Sequence, residues 1–232
     1  MKRVFNFRHC YVILVCMIFI LAAGCKKTAD EPKTVIDIDG NVYKIVTIGT
    51  QTWFVENLKT TKLNDGTLMP DVTDKAEWDD LSTEAYCWYD DDAATYKESY
   101  GALYNWFAVA TGKLCPTGWH VASFNEWTTL IDYVGGTDVA GGKLKEVGTS
   151  HWNSPNEGAT DEYGFKARAG GYRYPVGITN NYWIIGRSCY IWTSTEENVY
   201  NSYAWEMTYD DTDIYENEEN KNAGLSVRCI KD

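Results

Sequence analysis

Residues 123–136 read SFNEWTTLIDYVGG and carry the strongest helical signal in the chain. Ser123 stands three residues before Glu126, which is the spacing of a capping box at a helix start. Apolar residues then follow at helical spacing, and two glycines end the stretch. These residues are Trp127, Leu130, Ile131 and Val134. The stretch therefore predicts an amphipathic helix that packs one face on the core.

The segments on either side of this helix predict an α+β fold. Residues 100–111 (YGALYNWFAVAT) have helical spacing and predict a second helix, and residues 138–147 predict a short third one. Residues 35–48 alternate around Asp39-Gly40, which predicts a hairpin that residues 53–58 extend. Later strand signals lie at 165–169, 190–194, 203–209 and 225–230. Helices in the middle and strands at both ends are typical of the α+β class.

The first residues predict an export signal. Three cations are followed by an apolar run of about thirteen residues, which is too short to span a bilayer and is typical of a secretory signal. The run ends in LAAGC at 21–25, which resembles a bacterial lipobox with Cys25 as the lipid attachment site. We therefore expect a signal peptide at 1–24 and a polar tether at 25–34. The alternative is an ordinary signal peptide in which the cysteine is incidental.

Composition excludes some functions and limits others. The chain has 232 residues and a net charge of −12, and loss of the cations Lys2, Arg3 and Arg8 with the signal peptide changes this to −15. Such acidity argues against nucleic acid as a partner, because binding a polyanion requires a positive surface. Aromatic residues make up 15% of the chain. A single domain at 35–232 is long enough to bury its own core.

Four cysteines remain after processing and lipidation at Cys25. They are Cys87, Cys115, Cys189 and Cys229. An even number in an exported protein favours two disulfides, and the spacing alone leaves three connectivities open.

Eight short strings in the domain occur in a characteristic order. They are YGALYNW at 100–106, CPTGWHV at 115–121, EW at 126–127, AGGKLK at 140–145, DEYGF at 161–165, GGYR at 170–173, WTSTE at 192–196 and SVRC at 226–229. Over residues 35–232 this order and spacing resemble the Fibrobacter succinogenes major paralogous domain (FISUMP) family. SCYI at 188–191 departs from the family pattern, which is rich in tyrosine and tryptophan there.

The resemblance implies a lipoprotein of the bacterial cell envelope, anchored by lipid and placed in the outer membrane of a Gram-negative bacterium. It also implies a C-type-lectin-like fold, in which two main helices pack on small, mostly antiparallel sheets beside a long loop region. That fold brings the first helix beside the last strand, so the resemblance favours a Cys115–Cys229 disulfide. Cys87 and Cys189 would then form the second pair or stay free.

The aromatic, amide-rich segments after residue 170 are the candidate binding surface. Tyrosine and asparagine on loops provide rigid contact area and hydrogen-bonding groups, and flat rings stack on sugars. The candidate ligand-binding residues are Tyr174, Asn180, Asn181, Tyr182, Tyr200 and Asn201. The alternative is that the tyrosines and tryptophan of this region pack inside the domain.

No motif singles out catalytic residues, a cofactor or a metal site. The acidic strings at 90–92 and 210–213 offer oxygen ligands that suit calcium, but solvated turn carboxylates are the simpler interpretation. We therefore expect a non-catalytic binding module, facing the cell surface or the periplasm, for a glycan or protein ligand. The alternatives are a secreted enzyme that acts on polysaccharide, a lectin-fold oxidase, and a purely structural envelope protein. The sequence leaves the oligomeric state open.

Overall fold

The computed structural model describes Met1 and residues 33–174 and 182–232. Within these ranges the helices are α1 Lys75–Asp79, α2 Ala93–Tyr100, α3 Trp106–Ala110, α4 Phe124–Val134 and α5 Thr137–Leu144. The strands are β1 Thr34–Ile36, β2 Val42–Ile48, β3 Gln51–Phe54, β4 Tyr86–Cys87, β5 Leu103–Tyr104, β6 Trp119–Val121, β7 Tyr172–Arg173, β8 Tyr182–Trp183, β9 Ser188–Glu196, β10 Asn201–Thr208, β11 Ile214–Asn220 and β12 Cys229–Lys231. The chain thus has the predicted α+β composition, with mostly short strands.

One sheet joins the beginning and the end of the domain. Its strand order is β1-β2-β3-β12-β6, and all of its described pairs are antiparallel. The hairpin predicted around Asp39-Gly40 is confirmed, with Thr34 opposite Lys44. Trp53 of β3 pairs with Ile230 of β12, so the C-terminal strand is held between two earlier segments.

A second sheet has the order β11-β10-β9 and provides the surface on which the candidate site is built. The predicted strand at 190–194 is confirmed as part of β9, and the one at 203–209 is confirmed up to Thr208, where β10 ends. The prediction at 165–169 is wrong, because Ala167 makes only an isolated bridge to Lys145. At 225–230 only the last residues belong to β12, and Leu225 and Ser226 form isolated bridges.

Helix α4 is the predicted amphipathic helix. Both halves of the capping box are present: the Ser123 side chain accepts from the Glu126 amide, and the Glu126 carboxylate accepts from the Ser123 amide. Its apolar face packs on the core that also holds Trp53, with the Trp127 and Trp53 ring centres 5.0 Å apart. Helix α5 confirms the short third helix.

The single helix predicted at 100–111 is wrong. Tyr100 ends α2, and the next strand, β5, pairs with β4 before α3 begins. Gly101 has φ +76° and lies so close to Leu58 that a Cβ atom would be 2.6 Å from the Leu58 carbonyl oxygen. Asn105 then caps α3 by accepting a hydrogen bond from the Ala108 amide. The apolar residues have helical spacing in the sequence, but the close contact at Gly101 and the cap at Asn105 divide this stretch among α2, β5 and α3.

The Cys115–Cys229 disulfide is present. It links the start of the segment 115–121 to β12. The second pairing, Cys87 with Cys189, is wrong: both are free, buried thiols. Cys87 lies in a small core with Trp78 and Tyr89, whereas Cys189 lies in the core beneath α4. Packing in separate clusters keeps the two sulfurs from pairing.

Candidate ligand-binding face

The predicted ligand-binding residues fall in two groups. Tyr174 and Tyr182 flank the loop between β7 and β8, and Tyr200 and Asn201 lie at the turn between β9 and β10. Tyr190 packs beside β7. It precedes Glu196, the last residue of β9 before the turn, by six residues, and six residues of extended strand span about 20 Å. The structure therefore does not bring the two groups together. Asn180 and Asn181, like the proposed lipid site Cys25, lie outside the described residues.

The predicted tyrosines differ in how much of the side chain reaches solvent. Tyr200 is 73% exposed and Tyr174 is 36% exposed. Trp183 of β8 is also open, at 45%. Tyr182, by contrast, packs its ring 5.3 Å from Tyr89 and its hydroxyl donates to Asp91. Tyr182 therefore serves mainly to hold the β7–β8 hairpin on the domain.

Arg173 fixes the position of β7. Its side chain is 1% exposed, its guanidinium lies 4.3 Å from the Trp78 ring centre, and its donors reach backbone carbonyls of residues 72–74. Because side chains alternate along a strand, the burial of Arg173 turns its neighbours Tyr172 and Tyr174 the other way. Both rings thus point over the second sheet.

A cluster of tyrosines forms where β7 meets β9. The ring centres of Tyr172 and Tyr190 are 4.9 Å apart, and those of Tyr172 and Tyr174 are 5.6 Å apart. Tyr172 and Tyr190 are half-buried and rest on the core that contains Trp192 and Ala204. The sequence prediction included Tyr174 but not Tyr190, although the alternation in β9 already places Tyr190 on the same face as Trp192.

Two glutamates lie on the same face of the sheet. Glu206 of β10 is opposite Tyr190 of β9, and Ser202 of β10 is opposite Glu219 of β11. Ser202 and Glu206 share one face of β10 because they are an even number of residues apart. Asn217 lies between the glutamates on β11 and donates a 3.3 Å hydrogen bond to Glu206. We call Tyr172, Tyr174, Tyr190, Glu206 and Glu219 the tyrosine–glutamate face.

The two charged residues of this face are both carboxylates. Burial raises the pKa of Glu219 to about 7, and the Glu206 carboxylate adds to the shift. Burial, followed by the charge of Glu219, raises the pKa of Tyr172 to about 12. Burial and the nearby Glu206 also raise the pKa of Tyr190. The arrangement suits a ligand with apolar or cationic surface and disfavours an anion.

The acidic strings considered for calcium are used by the protein itself. Asp92 caps α2 by accepting from the amide and hydroxyl of Thr95. Asp211 accepts hydrogen bonds from the amides of Thr212 and Asp213. Within residues 33–174 and 182–232, no three His, Cys, Asp or Glu side chains converge as metal ligands.

His120 and the cysteines likewise have structural surroundings. The His120 Nε2 atom lies 2.9 Å from the Glu126 carboxylate, and the Nδ1 atom lies 2.7 Å from the Asp232 carboxylate. Burial opposes protonation of the ring, but the two carboxylates outweigh burial and raise the pKa of His120. Cys115 is held in the disulfide and cannot serve as a nucleophile next to His120. Burial raises the pKa of Cys87 to about 11 and that of Cys189 to about 12, so neither forms a reactive thiolate near neutral pH.

Fold and site together define an α+β domain with a negatively charged face lined by tyrosines. A family model for the Fibrobacter succinogenes major domain matches residues 46–231, and the chain belongs to that family. The family description names no ligand or activity. Comparison with curated proteins and with solved structures gave no match. Across the described parts of the chain, no helix combines the length and apolarity needed to cross a membrane.

Proposed function

We propose that this chain is a lipoprotein of the cell envelope whose domain is C-type-lectin-like and acts as a non-catalytic binding module for a glycan or protein ligand. The observation that carries the proposal is the set of exposed rings at the β7–β8 hairpin and at the turn between β9 and β10. Tyr174, Trp183 and Tyr200 expose between about a third and three quarters of their side chains. Aromatic rings offer contact area at low entropic cost.

The lipoprotein part rests on the lipobox-like LAAGC string and predicts attachment through Cys25. The described domain begins at Lys33, a few residues after the proposed lipid site. We expect the wild-type chain to fractionate with the outer membrane and Cys25→Ser to be lost from it. A mature chain that begins at Cys25 without an acyl group in mass spectrometry would contradict this part.

The C-type-lectin-like part is supported by the closed arrangement of the two ends of the domain. The C-terminal β12 lies between β3 and β6, and its Cys229 is bonded to Cys115. Helices α4 and α5 pack on the core that also contains residues of β9 and β10. An experimental structure of the domain, superposed on C-type lectins, tests this assignment.

A binding screen tests the function itself. Wild-type protein is applied to glycan and envelope-protein arrays, and the ligands it captures are titrated against Tyr174→Ala and Tyr200→Ala. We expect at least one of these variants to weaken binding about tenfold, because an aromatic contact carries a large share of such an interface. Tyr133→Ala is the matched control, since Tyr133 is exposed on α4. Absence of any ligand above background would remove the support for this proposal.

Hydrolysis of a polysaccharide is a second candidate, which the two glutamates on one face favour. Glycosidases combine a carboxylic acid of raised pKa with a second carboxylate, and burial raises the pKa of Glu219 to about 7. Product release from a polysaccharide that is abolished by Glu206→Gln or Glu219→Gln would establish this activity.

The oxidase alternative requires a cysteine pair at the metal, and Cys87 and Cys189 lie in different buried clusters. A purely structural role in the envelope predicts that the screen finds no ligand.

A further inference from the structure

Among the residues that the structure describes, Glu219 has no partner although it is partly shielded from water. It lies on β11, partly buried, and no donor among the described residues bonds or pairs with its carboxylate. The charge of Glu206, which is also negative, adds to the rise of the Glu219 pKa. A carboxylate removed from water without a counter-charge destabilises the fold, so its place on this face calls for a compensating group.

A second unsatisfied group lies beside it. Ser202 is directly opposite Glu219 in the ladder and is 0% exposed, and its Oγ has no hydrogen-bond partner in the described part of the chain. Buried hydroxyl groups in folded proteins are normally hydrogen-bonded. Glu219 and Ser202 therefore leave hydrogen-bonding capacity unused at the same point of the sheet.

The rings above these groups favour a positive charge. Tyr172 is close enough to Glu219 and Glu206 for both carboxylates to raise its pKa. Its ring packs against those of Tyr190 and Tyr174. The face of a tyrosine ring attracts ammonium and guanidinium groups, and the attraction grows when water is excluded. Neither a neutral sugar nor an anion compensates the two carboxylates.

We propose that the tyrosine–glutamate face binds the cationic side chain of a protein ligand, the ammonium group of lysine or the guanidinium group of arginine. The inference rests on the proposed function as a binding module and specifies the chemistry of its ligand. The charge of −12 on the whole chain attracts a basic partner. Glu216 and Glu218 add exposed negative charge on the same strand.

The position of β11 also suits a peptide. In the part of the chain that the structure describes, no strand pairs with the outer edge of β11. The free backbone groups of an edge strand can pair with an extended segment of another protein. Such a segment places every second side chain toward one face, so one of its basic residues can reach Glu219.

Calorimetric titration of the full chain with three capped pentapeptides tests the inference. Each peptide has four glycines around a central residue, which is lysine, arginine or Nε-acetyllysine. We expect the lysine and arginine peptides to bind and the acetylated one to bind at least about tenfold more weakly, because acetylation removes the charge. Glu219→Gln should weaken the charged peptides about tenfold.

Glu218→Gln is the matched control, because it changes the net charge equally on the same strand but on the opposite face. It should alter affinity less than about twofold. Tyr172→Leu provides a second variant that leaves both carboxylates in place and should weaken binding through loss of the ring. Circular dichroism and melting curves verify that each variant is folded.

Three results would overturn the inference. Equal losses in Glu219→Gln and Glu218→Gln would indicate non-specific attraction to an acidic protein. Neutral glycans that bind the wild type and Glu219→Gln alike, without binding of the charged peptides, would overturn this inference and leave the proposed binding function standing. Failure of every peptide, glycan and envelope protein to bind would overturn both.

Discussion

Asp39 lies in the turn between β1 and β2, where its carboxylate is held by donors from the following segment. It accepts hydrogen bonds from the hydroxyls of Thr60 and Thr61 and from the Thr61 amide, and Lys62 lies 2.9 Å away. Burial opposes ionisation, but these partners outweigh it and lower the pKa of Asp39 to about 2. The ionised form is therefore part of the folded state.

Replacement by Asp39→Asn should lower the free energy of unfolding by about 2 kcal/mol at pH 7. Because the folded pKa lies below the unfolded value, this stability is present above about pH 4 and is lost as the pH falls toward 2. Urea unfolding between pH 2 and 7 measures the difference, which should shrink with acid. Asp132→Asn, an exposed carboxylate on α4, is the control and should change stability little. A pH-independent effect of Asp39→Asn would contradict the assignment.

Glu219 should behave in the opposite way. Its folded pKa of about 7 is above the ordinary value, so ionisation destabilises the folded state as the pH rises from about 4.5 to 7. Glu219→Gln should therefore stabilise the protein by about 1–2 kcal/mol at pH 8 and have little effect at pH 5. Chemical unfolding at the two pH values is the measurement, with Glu218→Gln for comparison. Destabilisation by Glu219→Gln at pH 8 would show that the carboxylate has a structural partner.

Residues that are paired by local spacing and residues that are paired by strand register differ in how well the sequence predicts their contacts. The pairing of Ser123 with Glu126 depends on a spacing of three residues, so the sequence predicts it and α4 confirms it. Glu206 and Glu219 come together only through the register of β10 with β11. The sequence also predicts Tyr174 at the face but not its stacking partners, because the contact of Tyr172 with Tyr190 joins two strands that are not sequence neighbours.

Among the secondary-structure elements, the segment before α3 has the strictest backbone requirement. Gly101 ends α2 with φ +76°, and an added Cβ would clash with Leu58. Gly112 follows α3 with a similar φ of +65°, but no atom of the described residues lies within 4 Å of an added Cβ. The two positions separate the conformational effect of a side chain from its steric effect.

Gly101→Ala should therefore cost about 3 kcal/mol or more, whereas Gly112→Ala should cost about 1 kcal/mol. The reason is that both substitutions force an alanine to positive φ, but only the first also pushes against a fixed carbonyl. Denaturant titration of the two variants gives the comparison. Equal losses would indicate that Leu58 moves away without cost.

The sequence predicts an element correctly where a capping box or a turn signal accompanies the apolar pattern. The helix at 123–136 and the hairpin at 35–48 are set by neighbouring residues. β11 was not predicted, because its sequence IYENEEN is acidic and it lies at the edge of a sheet with exposed side chains. It forms because seven of its residues pair with β10. The strand is therefore stabilised by the hairpin and not by its own sequence alone.

In the domain as a whole, a disulfide and the hydrogen-bonded ladders of β12 hold the C-terminus to earlier segments of the chain. The disulfide closes a loop with a sequence separation of 114, and β12 adds ladder contacts on both sides. In the chain-entropy model a loop of this length stabilises by about 4–5 kcal/mol. The family resemblance, and not the cysteine spacing, favoured this pairing. The same fold leaves Cys87 and Cys189 unpaired because it divides the interior into separate clusters.

Thiol counting tests the disulfide and the processing of the chain together. We expect no reaction of Cys87 or Cys189 in the native protein, because both are 0% exposed and burial raises their pKa values. Unfolding without reductant should expose two thiols in a processed chain whose Cys25 carries lipid. A chain that keeps its first 24 residues and a free Cys25 should expose five of its seven cysteines.

Addition of reductant to the unfolded, processed chain should release two more thiols, since Cys115 and Cys229 then become free. The comparison variant Cys115→Ser should show one additional thiol without reductant and unfold at lower denaturant concentration. Four thiols in the processed wild type before reduction would contradict the disulfide. Rapid reaction of the native protein would instead show that the clusters around Cys87 and Cys189 open readily, because a buried thiol reacts only when its surroundings expose it.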